Sequence, residues 1–267
     1  MNEPSHIVCV VGASGFLGSA VVEQLQSRDC RVVTRSVRGR IDDELFWREF
    51  AEHLTSRGVQ AVVNCAAARL VGETAAGREE VRQANRVLPE RLAAAASCAG
   101  STFIQVGSRW QLGEFGEGPR GFYARMKEEG EHAAREVCLA NGIGMRSVLI
   151  RDTYGTGDRR DNLIQSLVRA LRQSNYLAVT RGDQRIDVAR VERVAASIVE
   201  TVSLKPEDGS FMRFETGVEE PPTVRELIEL FMQFSNCNLD VDWGARPYRS
   251  VELFAMDQVH PWAPKWQ

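Results

Sequence analysis

Tyr123 and Lys127 stand four residues apart in the segment Tyr123-Ala124-Arg125-Met126-Lys127. On a helix that spacing puts both side chains on one face. A phenol can give or take a proton, and a nearby ammonium lowers its pKa by charge. Taken alone, the pattern also fits a surface Tyr–Lys pair. Its surroundings favour chemistry. The apolar run before it ends in Val106-Gly107-Ser108, and open α/β sheets bind ligands at the C-terminal ends of their strands. Ser108, Tyr123 and Lys127 are therefore the candidate catalytic group, with Ser108 holding a substrate carbonyl beside Tyr123.

A second feature is Gly12-Ala13-Ser14-Gly15-Phe16-Leu17-Gly18, directly after an apolar run and ahead of a helical pattern. Gly12 permits a tight turn, Gly15 lets a pyrophosphate approach the backbone, and Gly18 lets helix and strand pack closely. The helix start, with Ser14, Phe16 and Leu17, offers free N–H groups to the anion. This is a dinucleotide site. An NAD site usually places an acid at the end of the second strand. Here that strand ends in Val33-Thr34-Arg35-Ser36, and the nearest acid, Asp29, precedes it. Arg35, Ser36 and Arg38 lie where a 2′-phosphate would sit, and a guanidinium grips phosphate with two donors. NADP(H) is the expected cofactor. Bringing Tyr123 down by about 3 pKa units requires roughly 4 kcal/mol. Lys127 and a positive nicotinamide can supply that in a dry site.

These groups need a scaffold. Strand-like runs at 6–11, 31–34, 59–66, 101–106 and 145–150 alternate with helical stretches at 16–27, 43–56, 77–98 and 122–139. Pro89 removes a backbone donor, which predicts a kink or break. Asn141-Gly142 caps the helix over 122–139. The alternation predicts an α/β fold, a Rossmann-like doubly wound parallel sheet covered on both faces. After Asp152 the pattern loosens. Residues 154–161 are turn-rich, 163–173 and 191–203 helical, and 205–209 and 219–222 loops. A last helix spans 223–234, with Thr223 and Glu226 at capping-box spacing. Residues 1–155 are expected to form the NADP-binding core. Residues 156–267 mostly form a small C-terminal substrate-binding lobe, with the segment around 186–204 returning to the core.

Composition excludes several classes. The chain has 267 residues, 43% hydrophobic and 26% charged, with a net charge of -3. Basic residues are spread out, so no nucleic-acid surface is indicated. No apolar run approaches the ~18–20 residues that span a bilayer, and the short polar start is not a signal peptide. The six cysteines form no CxxC pair and the four histidines show no metal spacing. No metal is expected, and the thiols fit a reducing cytoplasm.

Taken together, the chain resembles the extended short-chain dehydrogenase/reductase family, in its nucleotide-sugar epimerase/dehydratase group, over nearly its whole length. Gly12, Gly15 and Gly18 match its glycine turn. Asn64-Cys65-Ala66-Ala67 matches its segment beside the cofactor, and Asn85 its helix asparagine. Gly107-Ser108-Arg109-Trp110-Gln111-Leu112-Gly113 resembles the loop carrying its catalytic Ser/Thr. Tyr154-Gly155-Thr156-Gly157-Asp158, residues 184–195, Arg246-Pro247 and Asp257 resemble later motifs. The resemblance implies Cys65, Ala66, Ala67 and Asn85 at the cofactor. It implies Trp110, Asp152, Asn162, Arg185 and Arg246, with Arg190, at a nucleotide sugar. It also implies a homodimer through helices around 80–98 and 123–139.

The departures are informative. The family's sugar 4,6-dehydratases carry an acid pair after the catalytic Thr, where this chain has Arg109-Trp110. Its epimerases usually hold NAD through an acid that is absent here. Asp152 replaces an Asn, Ile186 an Arg, and the C-terminal part is short. The expectation is a cytoplasmic NADPH-dependent reductase of a nucleotide-linked, dTDP-type 4-keto-6-deoxysugar, resembling nucleotide-sugar 4-ketoreductases. Two rivals stand beside it, an epimerase with retained NAD and a non-catalytic dinucleotide-sensing protein.

Overall fold

A computed structural model describes residues 6–69, 74–114, 117–204, 210–216, 220–249, 251–252 and 254. The run IVCVV forms β1 (Ile7–Val11), and β1 leads through the glycine turn into α1 (Phe16–Gln26). Then come β2 (Arg31–Thr34), α2 (Glu44–Ser56) and β3 (Ala61–Asn64). The chain continues through α3 (Ala75–Arg82) and α4 (Leu88–Cys98) to β4 (Thr102–Ser108), α5 (Gly121–Ala140) and β5 (Met145–Ile150). These strands, with β9 (Phe211–Glu215), make one sheet in the order β2-β1-β3-β4-β5-β9. Every pairing in it is parallel. The chain leaves β1 for β2 on one side and reaches β3 on the other. The order therefore reverses between β1 and β3, and a crevice opens there at the carboxyl ends of the strands.

Alternation of side chains along each strand supplies two apolar layers. Cys9, Val11, Val62 and Phe103 face α2, α4 and α5, where Phe46, Trp47, Phe50, Leu92 and Cys138 complete the cluster. Val8, Val10, Val63, Ile104 and Val106 face α1 and α7 (Val191–Val202). Each fully buried aliphatic or aromatic side chain contributes roughly 1.5–3 kcal/mol of transfer free energy. A third cluster lies apart from the sheet. Leu167, Leu177, Val179, Val224, Ile228 and Leu239 join α6 (Leu163–Arg169), β7 (Tyr176–Val179), α8 (Val224–Ser235) and β10 (Asp240–Trp243).

The expected alternation of the first half is present, as is the Thr223–Glu226 capping box. Other expectations need correction. The stretch 77–98 is neither a single helix nor broken at Pro89. A π segment, Gln83–Val87, joins α3 to α4, and Pro89 lies in the first turn of α4. Pro89 has no N–H for the carbonyl one turn back and its ring crowds that carbonyl; the wider turn, which includes Asn85 four residues before it, gives the ring room. The helix over 163–173 likewise widens into a π segment at Ala170–Ser174. The region after Asp152 holds more strand than its looser pattern predicts. β6 (Asp152–Tyr154) pairs with β8 (Val188–Arg190), β7 pairs with β10, and β9 extends the main sheet. The loop at 205–209, the start of the one at 219–222, and Asp257 lie outside the described residues. Among the described residues no helix is long and apolar enough to cross a membrane.

Candidate active site

The glycine turn is shaped by close backbone approach. Gly12 has φ +80°, and a β-carbon there would lie 2.6 Å from the Ala66 amide nitrogen. A β-carbon on Gly18 would lie 2.1 Å from the Gly12 carbonyl oxygen. Both positions thus exclude any larger residue. Gly15 precedes the first turn of α1, which no side chain caps, so its leading N–H groups are available to an anion. A groove of about 760 Å³ runs past Ser14, Gly15, Phe16 and Ser19, and Thr156, Gly157 and Arg160 form its other wall. Leu17 packs into the apolar layer beneath, as Phe16 does in part. The cradle fits a dinucleotide pyrophosphate.

Cys65 and Ala66 are half-buried at the end of β3, and Ala67 is exposed. Asn64 fixes this segment. Its Oδ1 accepts from the Ala66 amide at 3.1 Å, and its Nδ2 donates to Gln105 at 2.9 Å. Asn85 is fully buried and pins the same loop, with Nδ2 donating to the Ala68 carbonyl at 2.8 Å and Oδ1 accepting from the Ala68 amide at 3.2 Å. Past β2, Ser36 and Arg38 are exposed. Arg35 lies over the Phe46 ring, 5.0 Å from its centre, and 3.7 Å from the Glu49 carboxylate.

Ser108, Tyr123 and Lys127 converge at the C-terminal end of β4. Tyr123 opens α5 in its first turn, and Lys127 follows one turn later. The Ser108 hydroxyl is near enough to the Tyr123 phenol to act on it, and it accepts from the Trp110 amide at 3.4 Å. Lys127 is 3% exposed and donates from Nζ to the Val106 carbonyl at 3.0 Å. Burial pulls its ammonium down to about 8, against the opposing pull of Cys65 and Glu131. Burial likewise pushes the Tyr123 phenol up to about 12, with Asp152 adding to the rise and Arg69, Ser108 and Arg160 opposing it. The expected lowering of Tyr123 by Lys127 is therefore not the governing effect here. Desolvation outweighs nearby charge, and the charges that act are Arg69, Asp152 and Arg160. A phenol held protonated at neutral pH suits proton donation.

The expected substrate residues divide. Trp110 is half-buried with the Arg249 guanidinium 5.6 Å above its ring. Asp152 is exposed, close enough to Tyr123, Arg249, Arg160 and Arg69 to interact electrostatically. Asn162 is engaged as the N-cap of α6, accepting from the Gln165 amide at 2.9 Å and donating to Asp158 at 2.9 Å. Arg185 donates to the Pro221 carbonyl at 2.6 Å, and Arg190 pairs with Glu192 at 3.3 Å. The Arg246 amide bonds the Val179 carbonyl at 3.0 Å, in the α6/α8 layer. Of these, only Trp110 and Asp152 have a described contact with the group around Tyr123.

Sequence reasoning missed Arg69, Arg160 and Arg249. Arg160 stacks 4.5 Å from the Phe16 ring centre and binds Asp158 and Thr153, so it bridges the glycine turn and the cleft. Its place in the loop 154–161 was the available signal. Arg109 lies 3.6 Å from Glu215 with both side chains buried.

Residues 8–209 match the family profile described as "NAD dependent epimerase/dehydratase family". CDP-abequose synthase of Yersinia pseudotuberculosis is 22% identical over 264 residues, which cover 94% of this chain and 91% of that protein. Among solved structures, MoeE5 in complex with UDP-glucuronic acid and NAD superimposes with a TM-score of 0.78 at 22% identity, covering 94% of this chain and 88% of its own. A dTDP-4-dehydrorhamnose reductase from Bacillus anthracis, in complex with NADP, gives a TM-score of 0.76 at 15% identity, covering 95% and 90%.

Proposed function

The chain belongs to the NAD dependent epimerase/dehydratase family, and on that premise we propose that it is an NADPH-dependent reductase of a nucleotide-linked 4-keto-6-deoxysugar. The observation that carries this reading is the placement of Ser108 at the end of β4 beside Tyr123 in the first turn of α5, one helical turn before the buried Lys127. Gly12, Ser14, Gly15, Phe16, Leu17 and Gly18 would hold the pyrophosphate, and Arg35, Ser36 and Arg38 the 2′-phosphate. Cys65, Ala66 and Ala67 would flank the cofactor's other end; Asn85, expected there too, is fully buried and holds their loop from behind through Ala68. NADPH supplies a hydride when bound. Tyr123 gives its phenolic proton to the carbonyl oxygen as the carbonyl becomes an alcohol, and Ser108 orients that oxygen. Lys127, one helical turn beyond Tyr123, would bind the ribose hydroxyls.

Elimination of water from a sugar needs a base for a ring proton and an acid for the leaving hydroxyl. Arg109 stays protonated at neutral pH, and the Trp110 indole does not titrate. This favours reduction over dehydration. Residues 1–155 are assigned to cofactor binding and 156–267 mostly to the substrate, with the segment around 186–204 returning to the core. The packing of α7 against α1 supports that return. Trp110, Asp152 and Arg246 are the substrate-side residues whose side chains have no described bond that commits them elsewhere, and Asn162 and Arg185 complete the proposed set. Two copies would associate through α4 and α5, which light scattering measures.

The test is incubation with NADPH and a dTDP- or CDP-linked 4-keto-6-deoxyhexose, following the absorbance of reduced cofactor. Consumption supports reduction. Formation of a 4-keto-6-deoxy product from a dTDP-hexose and NADP or NAD would overturn it in favour of dehydration. Interconversion of sugar epimers without net cofactor consumption would overturn it in favour of an epimerase.

A further inference from the structure

Beneath Ser108 lies a buried polar relay. Gln111, 1% exposed, ends the short 3₁₀ turn Arg109–Gln111 that follows β4. Its Oε1 accepts from the Ser108 amide at 2.7 Å. Its Nε2 donates to Glu128 at 2.9 Å and to Glu131 at 3.1 Å. Glu131 is also 1% exposed. It accepts from Arg213 Nε on β9 at 2.9 Å and from the Ser147 hydroxyl on β5. Arg213 reaches Glu128 as well, at 3.4 Å. One amide side chain thus joins the main chain of Ser108 to α5, and through α5 to two strands.

The amide can sit only one way round. Turned over, its NH₂ would face the Ser108 N–H and its oxygen would face two carboxylates. Donor and acceptor are therefore both fixed by their partners. The space for it exists because residue 107 is glycine, where a β-carbon would lie 2.7 Å from Gln111 Oε1. Glu131 also lies one helical turn beyond Lys127 on the same face of α5.

Resting on the reading that Ser108 orients the substrate carbonyl, we infer that Gln111 is a positioning residue, which transmits the rigidity of the Glu131–Arg213 pair to the Ser108 main chain. Gln111 touches neither substrate nor cofactor on this view. It sets where the Ser108 hydroxyl points relative to Tyr123, and a hydrogen-bond donor misplaced by a fraction of an ångström loses most of its effect on a developing alkoxide.

The experiment compares Gln111→Met, Gln111→Glu and Ser108→Ala with the wild type. Gln111→Met keeps the length and removes every hydrogen bond. Amide hydrogen exchange at Ser108 and Trp110 is measured without substrate. NADPH binding is measured directly, and kcat and KM with NADPH and a dTDP-4-keto-6-deoxyhexose. The expected result for Gln111→Met is Ser108 exchange faster by about tenfold or more, kcat lower by a similar factor, and NADPH affinity within about twofold.

Gln111→Glu adds a pH signature. Its protonated carboxyl keeps the acceptor and one of the amide's two donors, whereas its ionised form has no donor and faces Glu128 and Glu131. The other groups around it are Arg213 on β9, Ser147 on β5, His132 bound to Glu128, and Lys127 beside Glu131. Its activity relative to wild type should therefore rise as pH falls. Unchanged Ser108 exchange in both variants overturns the inference, and so does wild-type kcat in Gln111→Met alongside a large loss in Ser108→Ala. Wild-type turnover in Ser108→Ala would instead sink the role given to Ser108 and leave the exchange result to judge Gln111. If Gln111→Met does not fold, Gln111→Glu carries both readouts.

Discussion

The Arg35 guanidinium lies 3.7 Å from the Glu49 carboxylate while it covers the Phe46 ring. The cation proposed to grip the 2′-phosphate thus has a partner on α2. Glu49 is more than half exposed, so the pair contributes only about 0–1 kcal/mol. A dianionic phosphate would compete for the same donors with greater charge. The ratio of kcat/KM for NADPH to that for NADH should fall strongly in Arg35→Asp. It should rise up to about fivefold in Glu49→Gln, which removes the competitor. A wild type that prefers NADH would overturn the NADPH assignment. An unchanged ratio in Arg35→Asp would move it from Arg35 to Arg38.

Tyr123→Phe should remove nearly all reductase activity and leave the fold and cofactor binding intact. The phenol is the only group on the cleft side of Ser108 proposed to carry a transferable proton, and burial holds it at about 12. Retention of more than about a tenth of wild-type turnover, a loss below ~1.4 kcal/mol, would show that another group donates the proton.

The parts of this site legible in the sequence are the local ones. Gly12 and Gly18 meet across a six-residue turn, Tyr123 and Lys127 across one helical turn, and Ser108 at the end of its own strand. Spacing alone reports such relationships. Arg213 was hidden because FMRFE, which carries it, is an edge strand with an incomplete apolar pattern, and its partner Glu131 lies 82 residues away. Arg69, Arg160 and Arg249 reach Tyr123 or Asp152 from three separate segments. The π segment at Gln83–Val87 escaped because Pro89 reads locally as a break, whereas α3 runs through the π turn into α4, and α4 packs on α5.

Lys127 should leave a mark on stability. An unfolded lysine keeps its proton to about 10.5, whereas burial lets the folded one shed it at about 8. Between those values the unfolded chain binds more protons, so stability gains as pH rises through the window. Below pH 8 the cost of a buried ammonium is fully present. Lys127→Met lacks this group. Denaturant unfolding at pH 7.5 and at pH 10.5 should show the wild type gaining on the variant by an amount on the order of 3 kcal/mol. Taking the difference cancels the titration of Cys9 and Cys138, whose thiols burial pushes up to about 12. Parallel stability curves would show that Lys127 is hydrated in solution.

Asp152 sets the last expectation. It starts β6, its amide donates to the Asp187 carbonyl at 3.1 Å, and the residue is exposed. Its charge raises the Tyr123 pKa. Desolvation by the protein around the carboxylate pushes its own pKa up, while Arg249, Arg160 and Arg69 pull it down and Asp187 adds to the rise. In alkaline solution the carboxylate is ionised and opposes formation of the Tyr123 phenolate. Asp152→Asn removes that opposition and takes one negative charge away from the three arginines. Two effects follow from one lost charge. The alkaline limb of kcat/KM, where the phenol loses its proton, should move to lower pH, because the phenolate is now better stabilised. The KM for a nucleotide-linked sugar should fall, because a diphosphate near those arginines no longer meets a carboxylate. The pH–rate profiles of the two proteins with NADPH and a dTDP-4-keto-6-deoxyhexose test both. An alkaline limb that stays in place would mean that Asp152 does not act on Tyr123. A KM that rises would mean that the carboxylate accepts a hydrogen bond from the sugar itself.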